Sequence, residues 1–539
     1  MKQKIIALCI MMLLMTTAGI SAVGILNIQM ETYTTQPMVE WEKTFGEDEF
    51  DYFRCIQQTS DGGYLAFGET EQDDMNYAWL LKLDADGNEE WNNVNQDLNG
   101  SVYDREDLAN MVIETNDGSF IACGFSTAYY SDYSIWSGAG YLWKIDASGQ
   151  TDWVKRYQSI SETESEAILS IFPFNIIELD GGYALGGLSV VGLNPDTGAY
   201  TLDGALMKTD ENGNIDWYQT WDSGNDYEAL NGLCATDDGG YFLTGLSTTF
   251  TMSAGACWAL KTDSEGNKQW EKKFDGPALD YSAARGCGQT DDGGFIVAGA
   301  TYSYGAGKSD LWVIKTDASG NKEWDKTFGG SGHDQSWGMQ ILPDDGYVFG
   351  TVYNQQGFGG TLDDTWIIKT DADGNAEWKY QIEESGRQVP LFITRTSDEG
   401  FIVAGRTGQP DHSGTDAYIV KIAAFENQRP SKPTIDGPPK GKPDTEYTFT
   451  ASSSDPDGGA LQYRWDWGDG NYSEWSDTQE ASYTWSSENN FQIRVMSQDN
   501  DGGESEWSDP FKFSTPKNKR NFINYFHFWI DLFIECFQI

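Results

Sequence analysis

The stretch from Thr290 to Trp324 reads TDDGGFIVAGAT, then a variable insert, then DLWVIKTDASGNKEW. Ala298 to Thr301 and Leu311 to Lys315 are short β-rich runs, each bounded by a glycine-bearing turn. Asp292-Gly293-Gly294 supplies the positive φ that a tight hairpin needs. Asp317 to Asn321 is a second hairpin, with Gly320 at the left-handed position. The unit therefore holds four strands: one before the first turn, one after it, one carrying Lys315 and one carrying Trp324.

The unit recurs. The first turn is headed by Asp61, Asp117, Asp180, Asp238, Asp292, Asp345 and Asp398, and the lysine is Lys82, Lys144, Lys208, Lys261, Lys315, Lys369 and Lys421. The closing Trp falls at 41, 91, 153, 217, 270, 324 and 378, in steps of 50, 62, 64, 53, 54 and 54. Short strands at such a period predict a β-propeller. Trp41 precedes the first turn, and the last unit has no Trp of its own. Val39 to Phe45 is thus expected to supply the outer strand of the final blade, closing the ring without an open edge. The expected fold is all-β: a seven-bladed β-propeller over residues 38–425, followed by an immunoglobulin-like β-sandwich and a short C-terminal amphipathic helix. The D-x-x-G-N turns resemble the Asp-box turns of sialidase-type propellers and the tryptophan-docking turns of quinoprotein propellers. That resemblance bears on fold and not on activity. An Asp five residues before the lysine recurs as Asp203, Asp310, Asp364 and Asp416, and a blade-to-blade ion pair is the expected role.

Over 539 residues the chain carries 84 Asp+Glu against 35 Lys+Arg, a net charge of -49, with 60 Gly, 21 Trp and 3 His. Such acidity excludes a nucleic-acid partner, which needs a basic face. Aromatics at 14% supply ample core material. Lys2 and Lys4 precede an apolar run from Ile5 to Met15, and Ile20-Ser21-Ala22 offers a cleavage site. Residues 1–22 read as a secretory signal peptide, with an uncleaved anchor as the alternative. Both place the chain outside the cytoplasm, secreted or at the cell surface. The cysteines lie singly, with no paired spacing, and read as buried small hydrophobes rather than as a disulfide framework or a zinc site.

After Phe425 five prolines, from Pro430 to Pro443, mark a connector over residues 426–445. Alternating strands follow, and about 85 residues of this kind suggest a sandwich. YRWDWGDG, Tyr463 to Gly470, resembles the Y-x-W-D-F-G-D-G signature of PKD (polycystic kidney disease) domains, with Trp467 for the Phe. The SSSDPDGG segment before it and SYTW at Ser482 to Trp485 fit as well, and the resemblance covers residues 430–515. It implies a spacer, adhesion or binding module of surface and secreted proteins, one also appended to extracellular hydrolases. Asp455 and Asp457, with Asp499 and Asp501, are candidate calcium ligands at one end of the sandwich. The alternative is simple Asx turns. In residues 521–539 the polar positions step by 3, 3, 4, 4 and 3, the spacing of a narrow stripe on an apolar helix. Asp531 and Glu535 disfavour a spanning segment, so peripheral membrane or partner contact is expected.

Function is expected where the repeat breaks. One candidate is the aromatic insert holding Tyr129, Tyr130, Tyr133 and Trp136, suited to stacking on a sugar or peptide. The other is the set at the entry to the inner strands, which would gather at the channel mouth: Asp51, Arg54, Asp104, Arg105, Asp226, Asp280, Arg285, His333, Asp334 and Arg387, with a solvated channel held by Asp–Arg pairs as the alternative. No recognisable catalytic constellation is present, so the expectation is a non-enzymatic, surface-associated binding, adhesion or scaffold protein. Its partner would be a cell-surface glycan or protein; no cofactor is expected, calcium being the one candidate. The alternative is a secreted carbohydrate- or peptide-degrading enzyme with its site at the channel mouth.

Overall fold

The computed structural model describes residues 39–515. Excepted are the connecting stretches 47–49, 73–74, 96–104, 130–135, 158–169, 194–199, 226, 249–254, 277–282, 307, 355–362, 383–386, 409–414, 425–428, 456–459 and 500–501. The signal segment 1–22 and the tail 521–539 lie outside the described residues, as does any helix expected in that tail.

The described part of the repeat region forms seven four-stranded antiparallel blades. Five are separate sheets, and two are joined into an eight-stranded sheet by one parallel pairing, Leu202 with Tyr227. In order, the blades cover residues 51–94, 105–157, 170–221, 227–274, 283–328, 335–382, and 387–422 with 39–45. The seventh takes its outer strand from the start of the chain, Val39 pairing with Ile422 and Phe45 with Ala417. The ring is thus fastened by pairing its two ends, and Ser397 N donates to Gln58 Oε1 across the same seam at 2.7 Å.

Each blade is held by its turns. Asp317 Oδ1 accepts from Ser319 N at 2.9 Å and Asn321 N at 2.8 Å, while Gly320 sits at φ 76°. In the first hairpin Asp292 Oδ1 accepts from Thr290 Oγ1 at 2.6 Å and Gly294 N at 2.8 Å. The repeated lysine then reaches this Asp. Lys315 Nζ lies 2.7 Å from Asp292 and 3.1 Å from Glu323, all within one blade. The expected blade-to-blade pairing with Asp310 is corrected: Lys315 lies near the hairpin end of its strand, whereas Asp310 begins that strand at the opposite end. Lys82, Lys261 and Lys421 repeat the arrangement with Asp61, Asp238 and Asp398 at 2.9, 2.9 and 2.8 Å. In the sixth blade the partner is Asp344 at 2.7 Å, because Asp345 itself takes the left-handed position at φ 61°. In the third blade Lys208 pairs with Asp216 at 3.4 Å instead.

The core lies between adjacent blades. The second and third strands are buried nearly throughout, as in Phe295–Thr301 and Asp310–Thr316, and fill wedge-shaped clusters with their neighbours. The second domain packs two three-stranded sheets around Phe449, Trp465, Trp467, Trp485, Phe491 and Phe513. Trp465 stacks on Trp467 at 5.4 Å, and Trp467 on Tyr483 at 4.7 Å.

Candidate functional site

Every inner strand carries a β-bulge at the same place. The register slips at Arg54, Asn110, Phe174, Asn231, Arg285, Trp337 and Leu391, one residue per blade. A bulge adds a residue and re-aims its side chain. Here it turns five of these side chains into the wall of one cavity: Arg54, Asn110, Phe174, Asn231 and Leu391. The cavity holds about 370 Å³ and is completed by Phe125, Asn175 and Tyr227 among others.

Its chemistry is uneven. Arg54 donates through Nε to Glu69 Oε1 at 3.1 Å and through Nη2 to the Tyr52 hydroxyl at 3.1 Å. Glu69 is buried, and also accepts from Tyr52 and from Ala109 N of the next blade. Burial pushes the Glu69 carboxyl up, against the pull of Arg54 and these hydrogen bonds. The one cation of the described wall is therefore already matched by a carboxylate behind it. On the other side Asn110 Nδ2 donates to Pro173 O at 2.8 Å. The amides of Asn175 and Asn231 have no hydrogen-bond partner among the described residues and face the cavity beside the Phe174 and Tyr227 rings. Phe125 and Phe174 meet edge to face at 6.1 Å.

In five blades a polar residue stands three positions before the bulge, at or near the start of the inner strand. Asp51, Asp107, Glu228, Asp334 and Gln388 are all buried. Glu228 Oε1 accepts from Ser223 Oγ at 2.6 Å and Asn225 N at 3.1 Å, while Oε2 has no partner among the described residues. Burial raises the Glu228 carboxyl to about 7; the two hydrogen bonds oppose the shift, and Asp222 and Asp203 reinforce it.

The residues expected at the mouth fall apart accordingly. Asp334 is buried, takes Gly330 N on Oδ2 at 2.6 Å and belongs to a seam rather than to the cavity. His333 Nδ1 lies 3.0 Å from Ser309 Oγ, and burial together with Lys308 holds its imidazole below the ordinary value. Arg285 stands at a bulge and Arg387 opens an inner strand, both placed here by backbone alone. Tyr129 pairs with Trp136 where their two strands end; Tyr130, Tyr133, Asp226 and Asp280 lie outside the described residues. In the second domain Asp499 Oδ1 closes an Asx turn on Gly503 N at 2.7 Å, and Asp455 is half-buried. Asp457 and Asp501 lie outside the described residues. Sequence reading missed Asn110, Phe174, Asn231 and Leu391. For Asn110 and Asn231 the available signal is the recurring acid-x-x-Asn spacing, Asp107 to Asn110 and Glu228 to Asn231; Phe174 and Leu391 carry no such mark.

Comparison with known proteins adds two findings. No curated protein matches the chain. Among solved structures, the α-L-arabinofuranosidase Arb93A from Fusarium graminearum matches at 10% identity and TM-score 0.40, over 72% of this chain and 98% of that one. An endo-arabinase from Bacteroides thetaiotaomicron matches at 11% identity and TM-score 0.29, over 59% and 94%. The expectation of a non-enzyme is corrected on this finding: the solved structures to which the chain is similar are named as an arabinofuranosidase and an endo-arabinase. The PKD domain of an M14-like peptidase from Thermoplasmatales archaeon SCGC AB-540-F20 matches at 31% identity and TM-score 0.16, over 17% of this chain and all of that one. The PKD domain family model matches residues 427–514, and that segment of the chain belongs to the PKD domain family.

Proposed function

We propose that this is an extracytoplasmic protein acting on carbohydrate, which takes the end of a neutral glycan into the channel cavity and serves the hydrolysis of glycosidic bonds. The observation that carries the reading is the cavity wall. Two uncommitted amides, Asn175 and Asn231, stand beside the rings of Phe174 and Tyr227, and the only cation of the described wall is already matched by Glu69. Amides exchange hydrogen bonds with sugar hydroxyls, and ring faces cover the apolar C–H faces of a pyranose or furanose. A volume of about 370 Å³ lies at the small end of ligand pockets, roughly 300–1,000 Å³, and suits the end of a chain rather than its middle. Hydrolysis calls for a pair of carboxyl groups at the bond. Asp226, next in sequence to cavity-lining Tyr227, is the carboxylate we assign to the test.

The mature protein is incubated with arabinan and β-1,3-galactan oligosaccharides, following new reducing ends, with binding followed by calorimetry. Release that falls in Asp226→Asn, and affinity that falls about fivefold to tenfold in Asn231→Ala, support the proposal. Binding without release restricts it to glycan capture. Neither binding nor release overturns it.

A further inference from the structure

We propose that Cys234 and Cys287 are an oxidisable thiol pair that a disulfide oxidant converts into a covalent staple between the inner strands of the fourth and fifth blades. The two residues are distant in sequence and read as isolated. Their strands, Tyr227–Ala235 and Ala283–Gln289, are the inner strands of consecutive blades and pack side by side. Three observations place the Cys287 side chain beside Cys234. Cys287 Sγ lies 4.0 Å from the carbonyl oxygen of Phe242, the residue paired across the sheet with Cys234. A methyl group at Gly232, two residues before Cys234, would stand 3.1 Å from Cys287 Sγ, so the Cys287 side chain seats against that bare backbone. Both cysteines also pack against the same core cluster, around Phe242, Cys257 and Phe295. Both side chains are partly exposed, unlike Cys55, Cys123 and Cys257, which are buried. A small oxidant therefore reaches this pair first.

The chemistry is thiol–disulfide exchange. One cysteine thiolate attacks a sulfur of the oxidant, forming a mixed disulfide and releasing one oxidant thiolate. The second cysteine thiolate then attacks the first cysteine's sulfur, forming the Cys234–Cys287 bond and releasing the other oxidant thiolate. The two cysteine protons end on the two released thiols, and the oxidant disulfide takes up the two electrons. An extracytoplasmic setting supplies such oxidants. Bridging adjacent blades restrains the unfolded chain across a long loop.

The full chain is equilibrated with oxidised glutathione, alkylated without reduction, digested and mapped by mass spectrometry. A peptide linking Cys234 to Cys287 is expected, with the free-thiol titre falling by two in the wild type and the linked peptide absent from Cys234→Ser and Cys287→Ser. The oxidised wild type should also melt a few degrees above its reduced form, a difference both variants lose. A link from Cys287 to Cys257, or full alkylation of Cys234 and Cys287 after oxidation, overturns the proposal.

Discussion

Trp270, in the outer strand of the fourth blade, lies over Gly320 in the D-x-x-G-N turn of the fifth: a methyl group on that glycine would stand 2.7 Å from the indole Cζ3. The indole Nε1 donates to Ala318 O in the same turn at 3.2 Å. The relation repeats as Trp41 with Gly87, Trp91 with Gly149, Trp153 with Gly213, Trp217 with Gly266 and Trp324 with Gly374. Lysines cross the same seams, with Lys272 Nζ to Asn321 Oδ1 at 3.0 Å and Lys326 Nζ to Asn375 Oδ1 at 3.1 Å. The repeated Trp therefore closes the joint between blades rather than only its own blade.

Gly320→Ala meets two obstacles, a φ of 76° and the indole. It should lower stability by about 2 kcal/mol. Removing the ring as well, in Trp270→Ala with Gly320→Ala, relieves the clash but not the backbone strain. The double mutant should therefore fall short of the sum of the single costs. Denaturant midpoints of the four proteins check this.

Acid should loosen the blades in a narrow window. Burial pushes the Asp292 carboxyl up, but hydrogen bonds from Lys315, Thr290 and Gly294 overcome it and hold the group at about 2; Asp61 and Asp117 stand at about 2 as well. A depressed folded value means that the unfolded chain binds protons first. The stabilisation is complete above the unfolded value of about 3.9 and is lost as pH falls toward about 2. Asp292→Asn should cost about 1 kcal/mol or less at neutral pH, since the carboxylate is half exposed, and should flatten this limb. Tryptophan fluorescence during acid titration is the measurement.

Glu228 should act with the opposite sign. Its folded value of about 7 lies above the unfolded value of about 4.3. Between the two, the folded chain holds a proton that the unfolded chain has released, so stability falls as pH rises through this window and levels off above it. Glu228→Gln keeps the shape and removes the titration. Its thermal midpoint should match the wild type near pH 4 and exceed it at pH 8, by stability on the order of 2 kcal/mol. Equal midpoints at both would refute the assignment.

Deleting residues 1–46 removes the outer strand that pairs with Thr415–Ile422 and bares a sheet edge. The shortened chain should melt on the order of 5 °C or more below the full chain and associate on concentration. Scanning calorimetry with light scattering reads both effects.

The sequence by itself determined the blades. A hairpin turn, its Asx bonds and a short β-rich run are local, so Thr290 to Trp324 carries them within one stretch of chain. The same holds for the closure, because a Trp before the first turn and none after the last can be counted. The side of the strand that a polar residue faces was not legible. The register slips at Asn231, which lines the cavity, while Glu228 three residues earlier is buried away from it, and a bulge is not announced by the residue types around it. Nor was the partner of Lys315, the seat of Trp270 on Gly320, or the meeting of Cys234 with Cys287. Each of these depends on which end of a strand, or which neighbouring blade, ring closure brings near. Only the tertiary structure decided them, because the spacing of a repeat fixes what each unit is and leaves open what its surfaces meet.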